Sequence, residues 1–221
     1  METAGTAYLV APDSGSGPGV LLLHAWWGLT PFFKSVADRL ADEGFVVLAP
    51  DLMDGRIAST PDEAEALLAA SDPNVGVRLV AAAAQRLRRL RITPDGPIGV
   101  VGFSMGASWG LWLSARAPEL VGATVAFYGG QTIDFDGARS AYLGHFAEHD
   151  TFESDDDIAF LEASLGLAGC DVTFHRYPGT SHWFFEADRP VAYDEAAADL
   201  AWERTVAFLR ARLQNPGFLS P

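Results

Sequence analysis

Short unbroken apolar runs alternate along the chain with stretches in which apolar residues recur every three or four positions. The first pattern suits a strand buried on both faces, the second a helix with one face on a core. Gly19 to His24, with Val20-Leu21-Leu22-Leu23 at its centre, is the first clear strand. Thr6 to Ala11 precedes it as a short edge strand, ended by the turn-rich Pro12 to Pro18. Thr30-Pro31 supplies an N-cap and a proline at the first helical position. The helix it opens carries Phe33, Val36, Ala37 and Leu40 on one face and closes at Gly44. Phe45 to Ala49 is the next strand, which completes one strand-helix-strand unit within about 30 residues.

The alternation continues. Thr60-Pro61 starts a helix to about Ala70, and a longer one runs from Pro73 to Arg91 through Val77, Val80, Ala84 and Leu87. Arg86, Arg88, Arg89 and Arg91 crowd its C-terminal end, where cations complement the helix dipole; that reading is preferred over an anion site. Strands follow at Ile98 to Val101, Val121 to Tyr128, Ser140 to Ala147 and Asp171 to Tyr177. Ser154-Asp155-Asp156-Asp157 opens a helix between the last two, its acids placed at the positive helix end rather than as a metal site. A final helix covers Pro190 to Leu213. The pattern predicts an α/β fold: a mostly parallel central sheet with helices on both faces, as one domain over residues 1–221. In such sheets ligands bind outside the carboxyl ends of the strands.

One strand end carries chemistry. Val100-Val101-Gly102-Phe103-Ser104-Met105-Gly106-Ala107 is an apolar run, then Gly-x-Ser-x-Gly, then a helical segment. That context fits a nucleophile elbow, in which the serine sits on a strained turn with its hydroxyl outward. A serine hydroxyl is a poor nucleophile until a base takes its proton. Of the five histidines, His145 and His175 lie inside strand patterns, His149 lies in a loop beside Asp150, and His24 ends a strand and shapes the loop after it. His182 follows the last strand in the turn-rich Pro178-Gly179-Thr180-Ser181, and is the predicted base. Its far nitrogen needs a carboxylate, and Asp150 lies between Ser104 and His182 in chain order; Glu148, Asp134 and Asp136 are rivals. The oxyanion requires donors, assigned to the backbone N–H of Met105 and of Trp26. Trp27, Trp183 and Phe184, with Trp26, Trp109 and Phe185, suggest an aromatic pocket for a small uncharged or apolar substrate. Trp109 and Trp112, three residues apart on a helix, read more readily as core.

Composition narrows the picture further. Acids outnumber bases 29 to 15, for a formal charge of −14, which repels nucleic-acid phosphates and makes nucleic acid an improbable partner. No apolar run reaches the roughly 18 residues of a membrane span, and Met1 to Val10 lacks the basic start of a secretory signal. Cys170 is the single cysteine, which excludes an internal disulfide and fits a reducing cytoplasm. Neither His-Glu-x-x-His nor a Gly-x-Gly-x-x-Gly after a strand is present, so no metal or organic cofactor is expected.

The chain resembles the dienelactone hydrolase family of α/β-hydrolases in His24-Ala25-Trp26-Trp27-Gly28-Leu29, Ala49-Pro50-Asp51-Leu52, Gly102 to Gly106, Gly144 to Asp150 and Tyr177 to His182. The resemblance implies Ser104, Asp150 and His182 as triad and Trp26 and Met105 as oxyanion hole. It departs from the family's well-known members in three places. Their cysteine nucleophile is Ser104 here, their thiol-managing glutamate is Ala25, and their carboxylate-binding arginine, four residues past the histidine, is Glu186. The expectation is a serine esterase or lactonase. Thioester or peptide hydrolysis, or a non-catalytic binding protein on the same scaffold, are the alternatives.

Overall fold

A computed structural model describes residues 6–214; the first half of the Met1 to Val10 stretch and the last seven residues lie outside the described residues. Seven strands form one sheet: β1 (Ala7–Val10), β2 (Gly19–Leu23), β3 (Val46–Pro50), β4 (Ile98–Phe103), β5 (Val121–Phe127), β6 (Ala141–His149) and β7 (Val172–Ser181). Their spatial order is β1-β3-β2-β4-β5-β6-β7. Only β1 runs antiparallel, along β3; every other pairing is parallel. The carboxyl ends of β2, β4, β5, β6 and β7 therefore share one rim.

The unbroken apolar runs have a simple cause. Val20 and Leu22, Val47 and Ala49, and Val101 and Phe103 face one layer, which holds α1 (Pro31–Asp42) and α6 (Glu195–Leu213). Their neighbours Leu21 and Leu23, Val46 and Leu48, and Ile98 and Val100 face the other, under α3 (Pro73–Arg88) and α4 (Met105–Arg116). Period-two alternation with apolar layers on both sides leaves no polar position in the strand. A third cluster joins α4 to α5 (Asp155–Leu167) through Leu111, Tyr142, Phe146, Ile158 and Leu161. Each such leucine contributes roughly 1.5–3 kcal/mol by leaving water. Trp109 and Trp112 meet edge to face at 5.8 Å and pack against the second layer, as core.

Local signals were mostly obeyed. Thr60 caps α2 (Pro61–Ala69) with a reciprocal capping box to Glu63. Ser154 caps α5, accepting from Asp157 N at 3.1 Å. Thr30 stands at the N-cap of α1 without a side-chain cap bond; its hydroxyl points to Asp188 Oδ2 at 3.5 Å instead.

Several boundaries differ from those the sequence predicts. β7 continues past Tyr177 to Ser181: pairing breaks between Ala147 and His149, then resumes as His149 opposite Ser181. Pro178-Gly179, with Gly179 at φ 75°, is thus a bulge within a strand and not its end. By the same pairing His149 sits on β6, not in a loop. The last helix starts at Glu195, because Pro190 falls among successive tight turns (Arg189 N to Glu186 O, Ala192 N to Arg189 O) and Asp194 supplies the cap, accepting from Ala197 N at 2.9 Å. α3 ends at Arg88, with Arg89 as its C-cap. Arg86 and Arg88 occupy its last turn, as the dipole reading requires.

Candidate active site

The elbow is built by steric exclusion. A Cβ at Gly106 would overlap the carbonyl oxygens of Leu23 and His24, and one at Gly102 would overlap the Gly106 carbonyl. Glycine at both positions lets β2, β4 and α4 close on one another. Ser104, between them, is driven to φ 51°, ψ −115°. Such a conformation costs a non-glycine residue of order 1–3 kcal/mol. Among the described residues, the non-glycine residues with positive φ are Asp54, Ser104, Tyr128 and Trp183. Three of these four gather at this site.

His182 follows β7 directly, and its ring is 4% exposed. Nε2 lies 2.9 Å from Ser104 Oγ. Nδ1 lies 2.7 Å and 2.9 Å from Asp150 Oδ2 and Oδ1. A carboxylate only accepts, so Nδ1 carries the proton and Nε2 presents its lone pair to the Ser104 hydroxyl. Asp150 Oδ1 also accepts from Phe152 N at 2.8 Å and Glu153 N at 3.1 Å. Burial alone would raise the Asp150 pKa, but the His182 bond and charge, with these two N–H groups, hold it below its ordinary value.

The other histidines are placed elsewhere. His24 is fully buried; Nδ1 donates to Ala25 O at 2.7 Å and Nε2 accepts from Leu52 N at 3.0 Å, so it is neutral and pins the loop after β2. Burial lowers its pKa, in keeping with that state. His145 is buried between Tyr177 Oη (2.8 Å) and Thr205 Oγ1 (3.0 Å). His175 lies on β7 and His149 is exposed at the end of β6. Of the rival carboxylates, Glu148 accepts from Gly179 N at 2.7 Å, and Asp134 caps its own loop through Asp136 N.

The N–H of Met105 opens α4 and has no intrahelical acceptor. Neither it nor the Trp26 N–H donates to another backbone group among the described residues. Trp26 and Trp183 stack at 6.1 Å, 25° apart, both half-buried.

The aromatic assignments need correction. Phe184 is fully buried, packed on Tyr177 (4.9 Å) and Tyr128 (5.5 Å), and offers nothing to a substrate. Trp27 is 2% exposed and forms a second layer, 5.4 Å from Trp26 and 5.2 Å from Trp183, with the Arg189 guanidinium 3.7 Å over its ring. Phe185 is core as well. Sequence reasoning missed Phe152. It is 52% exposed and sits 4.7 Å from the His182 ring, 5.3 Å from Trp183 and 5.6 Å from Trp26. Its position two residues after Asp150 was the available signal.

Glu186 is also not where substitution for an arginine suggests. It is fully buried and accepts the Tyr128 hydroxyl at 2.9 Å. Burial pushes its pKa up to about 8, so it places no exposed anion in the site at neutral pH.

Cys170 is half-buried ahead of β7, with Sγ 3.7 Å from Ala138 O. Among the described residues no group of three or more His, Cys, Asp or Glu is arranged to hold a metal ion, and no helix is long and apolar enough to cross a membrane. The arginines after α3 line a groove with Arg116 and Leu120 where β4 and β5 begin, at the rim opposite Ser104.

Comparison with known proteins agrees with this architecture. The family model for the dienelactone hydrolase family matches residues 6–213. The chain is 34% identical to Protein usf of Aquifex pyrophilus over 93% of both chains. It is 26% identical to carboxymethylenebutenolidase 1 of Cupriavidus pinatubonensis, over 95% of this chain and 92% of that one. Among solved structures, a dienelactone hydrolase-like promiscuous phosphotriesterase from metagenomic libraries superimposes with a TM-score of 0.83 at 21% identity, covering 94% and 92% of the two chains. With the strand order, the elbow and these matches in hand, the chain belongs to the dienelactone hydrolase family and is a carboxylic ester hydrolase of that type.

Proposed function

We propose that this enzyme cleaves small uncharged carboxylic esters or lactones through an acyl-enzyme on Ser104. The observation that carries the reading is the continuous line from Ser104 Oγ to His182 Nε2 (2.9 Å) and from His182 Nδ1 to Asp150 Oδ2 (2.7 Å). As Oγ attacks the carbonyl carbon, His182 takes its proton and Asp150 stabilises the imidazolium. The tetrahedral oxyanion faces the Met105 and Trp26 N–H groups, donors already free of other backbone partners. Collapse expels the alcohol, which takes the proton from Nε2. Water, deprotonated by the same nitrogen, then releases the acid and restores Ser104. In a lactone the alcohol stays tethered to the acyl group.

The surroundings support the substrate class. Trp26, Trp183 and the exposed Phe152 surround the His182 ring, and Asp150 is the acid bonded to it. Arg189 is stacked on Trp27 and turned to Ser59 O, so it does not face the serine. A substrate carboxylate would meet aromatic rings, with Arg189 held on Trp27.

Steady-state hydrolysis of p-nitrophenyl acetate tests the reading. Ser104→Ala should lose at least about 1000-fold in kcat. Turnover unchanged in that variant ends the proposal.

A further inference from the structure

Glu186 is an acid in a fully buried position, yet the chemistry proposed above does not use it. A buried polar group with few partners is costly, and an apolar side chain of similar size would fill the space without that cost. Among the described residues its side chain accepts one hydrogen bond, from the Tyr128 hydroxyl at 2.9 Å to Oε1; Oε2 has none within bonding distance, although the Trp27 indole N–H, itself unpaired, lies near enough to favour the ionised form. The groups around it are Tyr128, Trp27, Asp188 and Arg189, and the Asp150 charge also acts on Tyr128.

The bond joins two parts of the site that the chain separates. Glu186 belongs to the turn that carries the base: its N–H donates to Trp183 O at 2.9 Å. Tyr128 belongs to the nucleophile's side. It follows β5 directly, at φ 36°, and the residue before it, Phe127, accepts Ser104 N through its carbonyl at 2.9 Å. The Tyr128 ring lies 5.0 Å from the His182 imidazole and 5.5 Å from Phe184. The left-handed backbone at Tyr128 is therefore held in place by contacts at both ends of its side chain.

We propose that Glu186 is a positioning residue: through the Tyr128 hydroxyl it fixes the ring that packs on His182, and so holds the base in line with Ser104. The inference rests on the triad reading above. The environment of Glu186 favours its neutral form, so it sits four residues from His182 without competing with Asp150 for the imidazolium. Glutamine offers the same oxygen to Tyr128 and is neutral by construction, which makes it the informative conservative variant.

The test compares the full-length wild type with Glu186→Ala, Glu186→Gln and Tyr128→Phe, each checked for native circular dichroism and cooperative melting. Kinetics on p-nitrophenyl acetate and the rate of fluorophosphonate labelling are the readouts. Glu186→Ala and Tyr128→Phe should lose about tenfold in kcat, since small misplacements of a catalytic group carry such costs. KM should stay within about twofold, and Glu186→Gln should keep at least about half of the wild-type kcat. If Glu186→Ala fails to fold, Tyr128→Phe, which removes a single oxygen, decides. A wild-type kcat in Tyr128→Phe, or a loss in Glu186→Gln as large as in Tyr128→Phe, overturns the proposal. Labelling separates the two readings: if the variants label as fast as a reactive wild type, only the positioning role falls, whereas an unreactive wild type removes the triad itself.

Discussion

Two carboxylates flank His182 in chain and in space, and the loops that carry them treat them in opposite ways. Asp150, after β6, accepts two backbone N–H bonds and the imidazole, and stays ionised below its ordinary pKa. Glu186, after β7, is enclosed by rings, accepts the Tyr128 hydroxyl, and is pushed up to about 8 by burial. The same functional group is thus an electrostatic partner in one loop and a neutral hydrogen-bond acceptor in the other. What separates them is depth of burial and the neighbouring charge: Asp150 is bonded to the His182 imidazole and to two N–H groups, whereas Glu186 is fully buried with Asp188 nearby.

The largest expected effect lies on the Asp150 side. Asp150→Asn keeps the shape but presents the wrong partner to Nδ1, and kcat should fall by roughly 1000- to 10,000-fold. A loss below tenfold would mean that another acid orients His182.

The two carboxylates should also give opposite slopes of stability against pH. Glu186 binds its proton more tightly in the folded protein, so its contribution is present at low pH and is lost as pH rises from 4.5 to about 8. In that window the slope approaches about 1.4 kcal/mol per pH unit. Asp150 has a folded pKa below 3.8, so its contribution is present above that value and is lost as pH falls through the folded pKa. Urea unfolding of wild type, Glu186→Gln and Asp150→Asn across pH shows this directly: the first variant should gain on wild type towards pH 8, the second only towards acid. Parallel curves for wild type and Glu186→Gln would show Glu186 to be ionised.

Substrate charge gives a smaller effect. A carboxylate-bearing ester should have a kcat/KM at least about tenfold below its methyl ester, because the site is lined by aromatic rings and Arg189 is held on Trp27. Equal values would place a cation at the site. The smallest change is expected from Phe152→Ala, which removes an exposed ring: KM should rise a few-fold, with stability within about 0.5 kcal/mol.

Much of this was legible before any coordinates. The buried strands were visible because both faces meet apolar layers, and Ser104 was visible because its glycines sit between a strand and a helix. Asp150 and His182 followed from chain order and the need for a base and an orienter. Phe152, and the role of Tyr128 and Glu186, were not visible. The Tyr128–Glu186 bond spans 58 residues of sequence, and no local pattern encodes it. The error at Phe184 is local. Trp183 takes a positive φ of 69°, which breaks simple alternation and turns Phe184 inward while Trp183 stays at the surface layer. The β7 extension was hidden because Pro-Gly signals a turn, and nothing nearby in sequence reveals that His149 re-forms the ladder with Ser181.

The central claim is that Ser104 carries the acyl group. Intact-protein mass spectrometry after treatment with a fluorophosphonate, followed by peptide mapping, tests it most directly. One phosphonyl adduct on the peptide containing Ser104, absent from Ser104→Ala, is the predicted result. An esterase-active wild type that takes up no adduct, or carries it on another residue, would contradict the account.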